Sequence, residues 1–190
     1  MKNKYLIILF GMMLSSCSNG QEEVKSKSGN KVSDSLIIGN EIPKFDINFP
    51  TTDYKVNKQV TNSQEGLTVT NWLLEGEDEN GPYMYFVAHN KSTNYLDDLI
   101  TQDPDLLNTS LQAMLYGSAE KLGGFDFKYN TINYNGHPGM SSKCKVFNGK
   151  GIIKSKVYVI NKDVFVVSGG GRGINEDELD AFLNSFQIIK

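Results

Sequence analysis

Histidine is the side chain most often recruited for proton transfer near neutral pH, and two of them, His89 and His137, occur in the 190 residues. A serine or cysteine nucleophile would need one of them as its base. His89 falls at the end of an apolar and aromatic run, and His137 lies in Gly136-His137-Pro138-Gly139, residue types that favour a turn. Neither is expected to be catalytic, and His137 reads as a turn residue with an exposed ring. Zinc needs three or four suitably spaced His, Cys or carboxylate ligands, which two distant histidines and one free cysteine do not supply. Glu75, Glu77, Asp78, Glu79 and Asn80 gather oxygen ligands in one turn, but not at the spacing of a twelve-residue calcium loop; they read as a solvated hairpin tip.

Ser168 to Gly173 is a glycine-rich stretch between a strand and a helix, the setting of phosphate-binding loops. Its lysine and hydroxyl partners are missing, and Glu176, Asp177 and Glu178 already place carboxylates at the positive end of the following helix. It reads as a flexible connection whose glycines relieve positive φ angles. The expectation is therefore of no catalytic residue, no metal and no cofactor.

Cys17 carries the one clear chemical signal. Lys2 and Lys4 precede an apolar run from Tyr5 to Leu14, and Leu14-Ser15-Ser16-Cys17 follows. That run is about half the roughly twenty residues needed to span a bilayer, and a basic, apolar, small-residue order is how export signals are built. Leu-Ser-Ser-Cys resembles the bacterial lipobox, which implies cleavage before Cys17 and acylation of its thiol and amino group. Several acyl chains meet the requirement for stable anchoring. Residues 1–16 are expected as signal peptide, 17–42 as acylated cysteine and flexible tether, and 43–190 as a single domain. The expected location is a bacterial cell envelope, held by lipid on Cys17, with the outer membrane favoured.

The formal charge is −3, and loss of Lys2 and Lys4 with the signal makes the mature chain two charges more negative. The only arginine is Arg172 and the lysines are scattered, so no nucleic-acid partner is expected. With Cys17 acylated, Cys144 is the only thiol left, and it is expected to be buried and inert.

The elements follow from periodicity. Strands are expected near Phe45 to Phe49, Tyr54 to Thr61, Leu67 to Glu75 and Tyr83 to His89. Tyr83 and Tyr85 then share a face, with Phe86 on the other, and a tyrosine-bearing face would suit protein or glycan contact. Asp103 and Pro104 open a helix with Leu107, Leu111, Met114, Leu115 and Leu122 along one stripe, and Gly123 and Gly124 end it. A short helical turn is expected at Tyr95 to Ile100. Four more strands follow, at Phe127 to Tyr134, Met140 to Phe147, Gly151 to Ile160 and Val164 to Ser168, joined by hairpin turns that imply antiparallel pairing. Asn175 and Glu178 form an expected capping box for a last helix whose Leu179, Phe182, Leu183 and Phe186 make one apolar face.

This pattern predicts an α+β fold: an antiparallel β-sheet flanked by helices. The order of elements, the Phe45 to Pro50 opening, the Gly136-His137-Pro138-Gly139 turn and the ending Phe182-Leu183-Asn184-Ser185-Phe186 resemble the PsbP-like superfamily over about Pro43 to Lys190. The resemblance implies a PsbP-like α/β sandwich and a binding or assembly-supporting role. The expected function is a membrane-anchored, non-enzymatic envelope lipoprotein with a protein partner. The alternatives are a small-ligand-binding lipoprotein or a hydrolase with an unidentified carboxylate site.

Overall fold

Segments of period two lie flat on a core only as strands, and most of this chain does so. The computed structural model describes residues 21–25, 35–38, 44–50, 55–62, 68–91, 103–161 and 163–189. Its strands are β1 (Gln21–Lys25), β2 (Ser35–Ile38), β3 (Lys44–Asn48), β4 (Lys55–Asn62), β5 (Thr68–Asp78), β6 (Gly81–Lys91), β7 (Phe125–Tyr134), β8 (His137–Val146), β9 (Gly151–Ile160), β10 (Asp163–Arg172) and β11 (Gln187–Ile189). The helices are α1 (Pro104–Glu120) and α2 (Glu176–Ser185), with a 3₁₀ turn at Phe147–Gly149. The expected helical turn at Tyr95 to Ile100 lies outside the described residues.

Eight strands form one antiparallel sheet in the order β1-β4-β5-β6-β10-β9-β8-β7, and β11-β3-β2 form a second. The large sheet consists of two meanders, β4-β5-β6 and β7-β8-β9-β10, with β1 added at the edge on β4; they are joined by the pairing of β6 with β10, where Phe165 faces His89 and Gly171 faces Tyr83. Asn135 and Gly136, both at positive φ (50° and 89°), turn β7 into β8, so His137, Pro138 and Gly139 already belong to the strand.

Each face of the large sheet is covered differently. On one, Leu107, Leu111, Met114 and Leu115 of α1 pack against Met140, Val157, Val159, Val164 and Val166. Asp103 caps this helix as its sequence predicts, accepting hydrogen bonds from the amides of Asp105 (3.0 Å) and Leu106 (3.1 Å). On the other, Phe45, Ile47 and Phe49 join Leu179, Phe182 and Phe186 over Trp72, Tyr85, Tyr158 and Phe165. Phe45 meets Trp72 edge to face at 4.9 Å, and Phe186 stacks on Tyr158 at 5.6 Å. Burial of each such ring is worth roughly 1.5–3 kcal/mol.

These observations correct the expected fold class. The chain is a mostly β protein, with eleven strands and two helices among the described residues, and not an antiparallel sheet flanked by helices in a PsbP-like α/β sandwich. The physical reason lies in β2, β3 and β11. The apolar residues of β3 pair with chain on both sides instead of extending the large sheet, so a small sheet shares one face with α2. Within the expected tether, 17–42, Gln21–Lys25 pairs with β4 and Ser35–Ile38 with β3.

Candidate functional site

The two histidines stand on different strands of the large sheet, His89 on β6 and His137 on β8. His89, 5% exposed, lies parallel to the Phe165 ring at 4.7 Å, with Nε2 3.1 Å from the Asp163 carboxylate. That is ion-pair reach, but the angle falls outside hydrogen-bond geometry. His137 is half-buried at the start of β8, which corrects the expectation of an exposed turn residue. The serine pair Ser155 and Ser168, 2.7 Å apart, is buried on the α1 face, opposite His89. Cys144 is buried beneath α1, and burial pushes its thiol up to about 11. No group of three or more His, Cys, Asp or Glu among the described residues could hold a metal ion. Cys17, the expected acylation site, lies outside the described residues.

The glycine-rich stretch is not a flexible connection. Ser168 to Arg172 complete β10, and only Gly173 has a positive φ, 66°. A Cβ at Gly170 would lie 2.5 Å from the Ile152 carbonyl oxygen, and one at Gly171 2.7 Å from that of Pro82. The glycines are demanded by close approach of β9 and β6.

Two clefts flank this stretch. The first, about 240 Å³, opens on the α1 side between Met84, Gly170, Ile153, Val146, Leu122 and Phe147. Two of its lining residues are large and apolar yet exposed: Leu122 at 41% and Phe147 at 45%. Leu122 was expected on the buried stripe of α1, but that helix ends at Glu120 and the Leu122 side chain reaches the rim. Phe147 and Asn148 both sit in the left-handed region, at φ 51° and 55°, a conformation a bulky aromatic rarely adopts.

The second cleft, about 290 Å³, lies on the opposite face, between the β5–β6 hairpin tip and the entry to α2. Asp78, Asn80, Tyr83, Tyr85, Arg172, Asn175 and Glu178 line it. Its walls are fixed by glycines. A Cβ at Gly173 would meet Asn80 Cβ at 2.8 Å, and one at Gly81 would meet the Arg172 stem at 3.1 Å. Asp78 is held in the turn, where Oδ1 accepts from the amides of Asn80 (2.7 Å) and Gly81 (3.2 Å).

Helix α2 is oriented by a lysine ladder on β8 and β9. Lys143 reaches Glu176 at 2.7 Å, Lys154 reaches Asp180 at 2.8 Å and Glu176 at 3.0 Å, and Lys156 donates to Asn184 at 2.6 Å. The lysines beside Glu176 hold its carboxyl below the usual range. Asn175 caps the helix by accepting from the Asp177 amide at 2.9 Å. The second half of the expected capping box is absent among the described residues, and the Glu178 carboxylate lines the cleft instead.

Tyr83 and Tyr85 do share a face, their rings 6.0 Å apart, but that face is largely covered. Tyr85 is 3% exposed and packs edge to face on Phe182 at 5.0 Å. Burial first, then the charge of Glu178, raises the pKa of its hydroxyl far above the usual tyrosine range. Sequence reasoning assigned each lining residue a local job, as turn, cap or strand, and only the even spacing of Tyr83 and Tyr85 signalled that they might act together. No family model matches the chain, and no curated protein matches it.

Proposed function

We propose that this chain is a lipid-anchored envelope lipoprotein whose domain binds or supports a partner protein and catalyses no reaction. The single observation that carries the reading is Leu14-Ser15-Ser16-Cys17 at the end of a basic and then apolar leader. The exposed apolar side chains of Leu122 and Phe147 at one cleft are consistent with protein contact, because large apolar groups left in water gain free energy when a partner covers them. The membrane contact is the lipid on Cys17, and a net negative chain would not add electrostatic attraction to anionic headgroups.

Intact mass of the protein from its native membrane tests the anchor; the expected mature form begins at acylated Cys17. A photoreactive phenylalanine analogue at position 147 tests the partner, and irradiation in cells is expected to yield one dominant crosslinked envelope protein. A bare Cys17, or no specific crosslink, would overturn the corresponding half of the reading. The second cleft favours small-ligand binding as a second reading, because it gathers polar side chains from the β5–β6 hairpin, the end of β10 and the start of α2.

A further inference from the structure

Among the described residues the large sheet ends on two edges, β1 and β7, and the two differ in character. An open edge is a row of backbone donors and acceptors with no strand to meet, and proteins blunt it with short strands, charge or proline. β1 is five residues long and carries Glu22, Glu23 and Lys25. β7 is ten residues long, and its stretch from Tyr129 to Tyr134 holds no charge, proline or glycine. The edge strands of the small sheet, β2 and β11, have four residues and three.

Register fixes which groups of β7 face outward. Tyr134 and His137 close a two-residue hairpin, so they exchange backbone hydrogen bonds, as do Ile132 with Gly139 and Asn130 with Ser141. Tyr129, Thr131 and Asn133 therefore turn their N–H and C=O away from β8. Pro138 can stand opposite Asn133 because that pair exchanges no bonds. None of the three outward residues makes another backbone hydrogen bond among the described residues, and Thr131 and Asn133 are exposed.

We propose that β7 pairs antiparallel with β7 of a second copy of this chain, about a two-fold axis through Thr131, so that the large sheet continues from one molecule into the next. In that register the strand is its own complement. Tyr129 meets Asn133 of the second copy, Thr131 meets Thr131, and every outward residue exchanges both of its bonds. A slip of two residues sets one of them opposite the irregularity between Phe125 and Lys128, or opposite the turn at Asn135. The side chains agree with the backbone. Lys128 falls opposite Tyr134 of the second copy and Asn130 opposite Ile132, so no like charges meet and the lysine stem lies along a ring. On the α1 face the second copy's hairpin turn comes over Phe127 and Tyr116, which touch at 4.9 Å, and covers a ring that is 42% exposed in Tyr116. Each half of the strand fits the other half, and this reciprocity selects a second copy over an unrelated strand. The pairing does not depend on the anchor at Cys17 or on the Leu122 and Phe147 cleft, and its failure would leave the proposed function untouched.

Cysteine placed on the axis tests the pairing with the full chain in its native membrane. The Cα atoms of a hydrogen-bonded antiparallel pair stand about 5.5 Å apart, within disulfide range. Cys144 is buried and gives no background. Thr131→Cys is expected to yield a disulfide-linked homodimer under mild oxidation, and the wild type none. Copies carrying Tyr129→Cys and copies carrying Asn133→Cys should crosslink when expressed together, and neither should do so when expressed alone. Thr131→Lys, an exposed change that sets like charges on the axis, should abolish the dimer seen by sedimentation of the detergent-solubilised chain while the circular dichroism spectrum stays that of the wild type. The proposal is overturned by any of four results: no homodimer from Thr131→Cys, a crosslink only to a different protein, a crosslink from Tyr129→Cys alone as strong as the mixed one, or a dimer that survives Thr131→Lys.

Discussion

At the scale of single residues, close approach and burial dominate. Gly170 faces β9 so tightly that a methyl group would meet the Ile152 carbonyl oxygen at 2.5 Å and Ile153 Cγ1 at 2.7 Å. Gly170→Ala is therefore expected to cost about 1–3 kcal/mol, read as a lower urea midpoint at unchanged slope. Cys144 makes a second residue-scale prediction. Its thiol is 2% exposed and raised to about 11, so the thiolate that reacts with disulfide reagents is scarce at pH 8. Labelling of Cys144 should be slow in buffer and fast in denaturant; rapid labelling of Cys144 in the native protein would contradict the burial.

At the scale of elements, the starts of helices were legible and their surroundings were not. Asp103 and Asn175 announce their caps because capping is a matter of three or four consecutive residues. Glu178 misleads for the same reason: a capping box is locally available, but tertiary neighbours leave its carboxylate at the cleft. Docking of α2 is pH-dependent with a definite sign. Glu176 has a lowered pKa in the fold, so its ion pairs stabilise the protein above the ordinary glutamate range and are lost as pH falls through the lowered value. Because the pairs are half-exposed, Glu176→Gln should reduce stability by under about 1 kcal/mol at neutral pH. Urea midpoints of the variant and the wild type should converge in acid, and a difference that persists there would place the effect elsewhere.

At the scale of the whole molecule, the second sheet and α2 form one layer whose loss the rest cannot absorb. Ending the chain at Ile174 removes Leu179, Phe182, Leu183 and Phe186 from the core, together with the β11 pairing to β3. Four side chains at roughly 1.5–3 kcal/mol each are comparable to the net stability of a typical domain, so the truncated chain should show no cooperative urea transition. A sigmoidal transition of native slope would show that this layer is dispensable.

What the sequence determined by itself is what depends on a few neighbouring residues: the placing of most strands, the N-caps of both helices, and the shared face of Tyr83 and Tyr85. Periodicity and capping act within one or two turns, and so they survive without knowledge of the fold. Only the tertiary structure decided that β3 and β11 build a separate sheet, that Ser168 to Arg172 is strand instead of connection, and that the chain is mostly β. It alone also brought Asp78 to Tyr85 against Arg172 to Glu178, because that juxtaposition is created by the β6–β10 pairing of segments distant in the chain. Strand pairing is selected by the total burial of two sheet faces, a quantity no local stretch of residues contains.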